Sequence, residues 1–176
     1  MEICTAGSLD MKFILDLYQE AFPKEERKPF SLIERKAAMG EMEILLLREE
    51  GRRVGLAITA LSERIVLLDY FAVAKDCRGG GFGSEALQML KALYDDKQFF
   101  LEIERTDDED APNRDERIRR KHFYLRSGML ETGIHIDLFG VGMELLAAKP
   151  GLTFDDCETL YRELLGPMYH NVVKLL

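Results

Sequence analysis

The chain has no tryptophan, only three cysteines, three histidines and five prolines among its 176 residues. Cys4, Cys77 and Cys157 are odd in number and widely scattered, which argues against a disulfide framework, and no pair stands at metal-ligand or redox spacing. His122, His135 and His170 are equally far apart, so a structural zinc is not expected, and a reducing compartment, the cytoplasm, fits best. Positive charge is also scarce. Lys and Arg number 24 against 32 Asp and Glu, a formal charge of −8, with a pI near 5.0. That balance argues against a general nucleic-acid binder and suits solubility or a cationic small ligand. No stretch approaches the ~20 apolar residues that cross a bilayer. The opening MEICTAGSLDMK has an acid at position 2 and no apolar core, so no secretory leader is expected.

What is present is a globular mixture, 47% hydrophobic and 32% charged. With neither an internal repeat nor a Pro/Gly/Ser linker, residues 1–176 are expected to form a single domain. Residues 3–6 suit a short strand. Ser8 and Asp10 are helix-capping types, and Phe13, Ile14, Leu17, Tyr18, Ala21 and Phe22 then recur at helical spacing until Pro23. A second helix opens at Pro29-Phe30 and runs towards Gly40. The period then changes: residues 43–48 and 54–61 read as a hairpin around Glu50-Gly51-Arg52, and the apolar run 65–73 reads as a strand buried on both faces. Helical spacing returns in Ala86, Leu87, Leu90, Leu93 and Tyr94, before a strand at 99–103. Residues 114–127 read as a helix with Gly128 as its left-handed cap, residues 130–137 and 142–148 as a last hairpin turning at Phe139-Gly140, and residues 153–165 as a helix. The sum is an α+β fold: a mixed, mostly antiparallel central sheet flanked by helices, with a parallel strand-helix-strand crossover over residues 65–103.

The informative segment is Arg78-Gly79-Gly80-Gly81-Phe82-Gly83-Ser84, four glycines in six positions between a buried strand and a helix. Glycine lets backbone N–H groups converge and a ligand approach closely. The helix start adds about half a positive charge, Arg78 a bidentate donor and Ser84 a hydroxyl. Together they suit a phosphate. A P-loop would need Gly-Lys-Ser/Thr, and no lysine is there. Gly81, Gly83 and Ala86 satisfy the dinucleotide pattern, with Glu102 downstream. Against that pattern, Gly81 lies too far beyond Val73, about 65 residues precede the unit, and too little chain follows it.

The segment resembles the acetyl-CoA signature of the GNAT superfamily of N-acetyltransferases, Arg/Gln-x-x-Gly-x-Gly/Ala, with Arg78, Gly81 and Gly83 in register and Val73 five residues before the arginine. His122-Phe123-Tyr124-Leu125-Arg126-Ser127-Gly128-Met129 is similar to the family's Phe-Tyr-x-x-x-Gly-Phe helix end, and residues 99–104 resemble its fifth strand. The resemblance covers about residues 40–148.

It implies a GNAT-like acyltransferase whose fourth and fifth strands splay to admit the pantetheine arm of acetyl-CoA. The backbone of Phe71, Ala72 and Val73 would pair with that arm, and the N–H groups of Gly79, Gly80, Gly81, Phe82, Gly83 and Ser84 would hold the pyrophosphate. An amine would attack the thioester directly, a backbone N–H near Val73 would stabilise the oxyanion, and Tyr124 matches the acid that protonates the departing thiolate. Glu102, Glu104 and Asp69, carboxylates on central strands, are candidates for base or amine anchor, with a salt bridge or a rim position as the alternative role of each. Where many members carry Asn, this chain has Arg117, in a basic helix face that either meets CoA phosphates or balances the acidic loop Asp107-Asp108-Glu109-Asp110. That loop would attract a cationic amine, small or peptidic. Cys77 reads as structural. A non-catalytic acyl-CoA sensor and a dinucleotide oxidoreductase are the competing functions. The apolar end 172–176 suits either a homodimer contact or packing in a monomer.

Overall fold

The computed structural model describes residues 1–176, which divide into two units, Met1–Leu61 with Leu68–Leu93, and Ser62–Leu67 with Tyr94–Leu176.

In the first unit β1 (Glu2–Thr5), β2 (Met42–Glu49) and β3 (Arg52–Leu61) pair antiparallel in sequence order of contact, β1 on β2 and β2 on β3. The β2–β3 turn places Glu50 and Gly51 at φ 48° and 78°, the backbone of a two-residue hairpin turn whose twist matches the strands. Two helices, α1 (Met11–Ala21) and α2 (Phe30–Ala38), bury Ile14, Leu17, Tyr18 and Ile33, residues set at helical spacing by the sequence. Asp10 does stand at the N-cap of α1, but its carboxylate makes no cap bond. It is buried and instead accepts from the Gly7 N–H at 3.1 Å, Arg53 Nε at 2.8 Å and Arg48 at 3.0 Å. The guanidinium of Arg53 above all holds its pKa below the usual carboxylate value.

The strand β4 (Ile65–Val73) is fully buried only over its first four residues. From Asp69 onward half-buried and buried positions alternate, a correction to the sequence reading that arises because one face of this stretch is left partly open. After a 3-10 turn at Lys75–Cys77 comes α3 (Phe82–Leu93), which buries Ala86, Leu87 and Leu90.

In the second unit, β5 (Gln98–Glu104) is followed by α4 (Arg114–Arg126), β6 (Leu130–Leu138), β7 (Val141–Ala147) and α5 (Phe154–Leu165). The first three residues of β4 pair with β5 in parallel, Ile65 with Gln98, Val66 with Phe99 and Leu67 with Phe100, where the registered ladder ends. β5 then pairs antiparallel with β7 from Phe100 to Glu104. Gly128 has φ 79°, and its N–H and that of Met129 close α4 on the carbonyls of Leu125 and Tyr124. Phe139 and Gly140, at φ 53° and 82°, turn the β6–β7 hairpin. Thr153 and Asp156 form a reciprocal capping box at the start of α5.

The chain end holds elements that sequence reading missed: a 3-10 turn at Gly166–Met168, a short α6 (Tyr169–Val172) and β8 (Val173–Leu175), which pairs antiparallel with β6 and buries Val173. The strands form one eight-stranded mixed sheet in the order β1-β2-β3-β4-β5-β7-β6-β8, flanked by helices and parallel only between β4 and β5. No helix is long and apolar enough to cross a membrane.

Candidate active site

The glycine turn lies where β4 hands over to α3. Gly79 and Gly81 both have φ 82°, a region that L side chains rarely occupy, and a Cβ built on either meets nothing within 4 Å. The turn therefore needs glycine for its backbone path and leaves open space beside it. The Gly81 carbonyl accepts the first helical bond, from Glu85 N–H at 3.1 Å, so the donors of Phe82 and Gly83 belong to the opening turn, where the helix supplies no carbonyl partner. Phe82 packs its ring on the cluster of Leu47, Val54, Cys77 and Ala86, which anchors the turn. Burial there pushes the Cys77 thiol above its ordinary pKa, consistent with a structural role. Arg78 donates from Nε to the Val73 carbonyl at 3.0 Å, tying the turn to the end of β4.

β4 approaches β3 unusually closely just before that turn. A Cβ on Gly55 would lie 2.5 Å from the Ala72 carbonyl oxygen, 2.9 Å from Leu47 Cδ1 and 3.3 Å from Val73 Cα. Gly55 thus fixes the position of the stretch Phe71–Val73. Upstream, Asp69 is held by Lys28, whose Nζ lies 2.6 and 2.7 Å from its two oxygens, and the Asp69 side chain is only 6% exposed.

In the second unit Tyr124 stands on the third turn of α4, half-buried, with its ring 5.1 Å from that of Phe123. Its hydroxyl has no hydrogen-bond partner within the chain. Burial pushes the phenol up to about 12, against the opposing pull of Arg120, so it is a protonated donor at neutral pH.

The β5 carboxylates share one face of the strand, as alternation requires, and both are half-buried. Glu102 accepts from the Tyr161 hydroxyl of α5. Glu104 is surrounded by α4: Arg117 at 2.8 Å, Arg120 at 3.5 Å and the Asn113 amide at 3.1 Å. Arg117 is 12% exposed, and it also donates to Asn113 Oδ1 and the Arg105 carbonyl. Of the two roles open to it, balancing acid is the one its contacts fill. Within the acidic loop Asp107 is paired with Arg105, which lowers its pKa, and Asp108 lies 3.6 Å from Arg117. Sequence reading had no signal for Lys28 or Tyr161, which reach their carboxylates across 41 and 59 residues of chain.

The sheet order, parallel only between β4 and β5, is the fold of an acetyltransferase family. Residues 11–128 match the acetyltransferase (GNAT) family model, and the chain belongs to that family. A Bacillus subtilis (strain 168) protein named as an acetyltransferase, YjbC, is 32% identical over 107 residues, 59% of this chain, and the match spans about half (53%) of that relative's length. A GNAT-family structure from Bacteroides thetaiotaomicron, 20% identical, superposes with a TM-score of 0.77 over 96% of this chain and 98% of its own. An aminoglycoside 6'-N-acetyltransferase solved with coenzyme A, 15% identical, gives 0.63 over 87% of this chain and 100% of its own.

Proposed function

We propose that this protein is an N-acetyltransferase that moves the acetyl group of acetyl-CoA onto a primary amine by direct attack, with no protein-bound intermediate. The observation that carries the reading is the open glycine turn, with Gly79 and Gly81 at positive φ directly before α3. An exposed nest of N–H groups at a helix start is a phosphate cradle. In this reading Gly79–Ser84 hold the CoA pyrophosphate and the backbone of Phe71–Val73, fixed by Gly55 and by the Arg78 bond, pairs with the pantetheine. Tyr124 gives its proton to the departing thiolate. A phenol raised by burial is a weaker acid than the CoA thiol, so it delivers a hydrogen bond to the sulfur in the ground state and completes transfer only as negative charge builds there.

The three carboxylates divide by their partners. Glu104 faces two guanidiniums, groups that stay charged at any working pH, and Glu102 takes a phenol hydrogen bond. Both carboxylates are thus engaged by side chains of this chain, which supports a positioning role for each. Asp69 is paired with a primary ammonium, the functional group of the acceptor itself, which supports it as the amine anchor. The test is CoA-thiol release with a panel of aliphatic monoamines, polyamines, amino sugars and lysine peptides. Release that requires both acetyl-CoA and an amine is expected. Tight acetyl-CoA binding with no amine-dependent release would instead leave an acyl-CoA binding protein.

A further inference from the structure

Lys28 is held with unusual care for a residue in a connection between helices. Its N–H donates to the Tyr70 hydroxyl at 3.0 Å, and its carbonyl accepts from the Tyr18 hydroxyl at 3.0 Å. The Tyr70 hydroxyl in turn donates to the Glu26 carbonyl at 2.9 Å. These tyrosines sit in an aromatic cluster with Phe22 and Phe30, with ring separations of 4.8 to 5.6 Å. The Lys28 side chain crosses the Tyr70 ring, its Nζ 5.2 Å from the centroid, and ends on both oxygens of Asp69. Asp69 and Phe71 are two residues apart on the same face of β4, about 6.6 Å along the strand.

We propose that Lys28 is a self-acetylation site. The proposal rests on the reading above, in which the backbone of Phe71–Val73 pairs with the pantetheine of acetyl-CoA, and it sets the thioester at Phe71, the end of that stretch remote from the pyrophosphate turn. A primary amine is then already held on a carboxylate that stands two residues before Phe71 on the same face of β4. The Lys28 ammonium passes a proton to Asp69 and its lone pair attacks the thioester carbonyl. The N–C bond forms, the C–S bond breaks, and the thiolate leaves as the CoA thiol after taking up a proton. One proton is released to solvent overall when Asp69 ionises again. The product amide carries no charge, so the ion pair is lost and Asp69 is freed for an external amine. Tethering makes the step intramolecular, and proximity of this kind substitutes for a high concentration of amine.

The test uses the full chain incubated with acetyl-CoA carrying an isotopically labelled acetyl group, followed by peptide mass spectrometry. Exposed Lys12 and Lys24 serve as internal references for uncatalysed acetylation. Lys28 is expected to take label about tenfold faster than either, or more, at a rate independent of protein concentration. Asp69→Asn should remove that advantage. Label at Lys28 no faster than at Lys12 and Lys24 overturns the proposal whatever the variant does, as does an unchanged Lys28 rate in a folded D69N protein. Calorimetry with acetyl-CoA separates the two readings. Binding without Lys28 labelling sinks self-acetylation alone, whereas absence of binding removes the acetyltransferase reading with it.

Discussion

Replacing Gly55 with alanine asks whether the close approach of β3 to β4 supports cofactor binding. The added Cβ would lie 2.5 Å from the Ala72 carbonyl oxygen, where ordinary contact begins at 3.4 Å, so roughly 0.9 Å of separation must be found. The obstructing atom belongs to backbone, and Leu47 Cδ1 at 2.9 Å blocks the other direction. Neither can swing aside, because Leu47 is fully buried. Overpacking of this kind costs about 1–3 kcal/mol, and for a chain of this size each kcal/mol lowers Tm by about 2–4 °C. A fall of about 2–12 °C is therefore expected. The strain falls on Ala72 and Val73, so acetyl-CoA affinity should weaken by about tenfold, which is about 1.4 kcal/mol. Gly81→Ala is the contrast, because its Cβ meets nothing and only the positive φ of 82° opposes it, a cost of about 1–2 kcal/mol. Thermal melts and calorimetric titration of both variants check this. A G55A protein that melts within a degree of the wild type and binds acetyl-CoA equally well would refute the reasoning.

Tyr124→Phe should lower kcat by about 10- to 100-fold and leave acetyl-CoA affinity nearly unchanged, as read by steady-state kinetics beside calorimetry. Because burial raises the Tyr124 phenol to about 12, wild-type kcat should show no loss attributable to this acid up to about pH 10, the ordinary phenol value. The same shift has a stability consequence. Folding energy from the neutral, buried phenol is complete below the unfolded pKa and is lost as pH rises from about 10 towards 12, a decline that the Y124F variant should lack in alkaline melts. Thr153→Ala removes one half of the capping box on α5 and should cost about 1 kcal/mol, seen as a Tm fall of about 2–4 °C. Tyr161→Phe deletes the donor to Glu102 and should destabilise by about 1.5–3 kcal/mol, while kcat falls little if Glu102 only positions its neighbours.

The elements that the sequence made legible are those whose signal is local. Glu50-Gly51 and Phe139-Gly140 announce their turns through the positive φ that they adopt. The apolar run 65–73 coincides with β4 residue for residue, and Gly128 ends α4 as a left-handed cap. The glycine turn and Tyr124 were legible for the same reason, since each belongs to a contiguous motif. What was hidden depends on distant chain. β8 is only three residues long and exists because β6 offers Leu138, Asp137 and Ile136 as partners. Asp10 looked like a helix cap because nothing nearby reveals that Arg48 and Arg53 will converge on it. The carboxylates Asp69, Glu102 and Glu104 could be picked out by their cost on central strands, but their partners Lys28, Tyr161 and Arg117 could not, because none of these is close in sequence to the acid it meets.

The most direct test of the account is titration of the full chain with acetyl-CoA, by calorimetry and by thermal shift, with NADH and ATP run in parallel. The account predicts one-to-one binding of acetyl-CoA alone, and a stabilisation of about 2.7 kcal/mol at 100 times its Kd, or a Tm rise of roughly 5–11 °C. A folded protein that shows no heat and no shift with acetyl-CoA, or that responds to NADH instead, would contradict it.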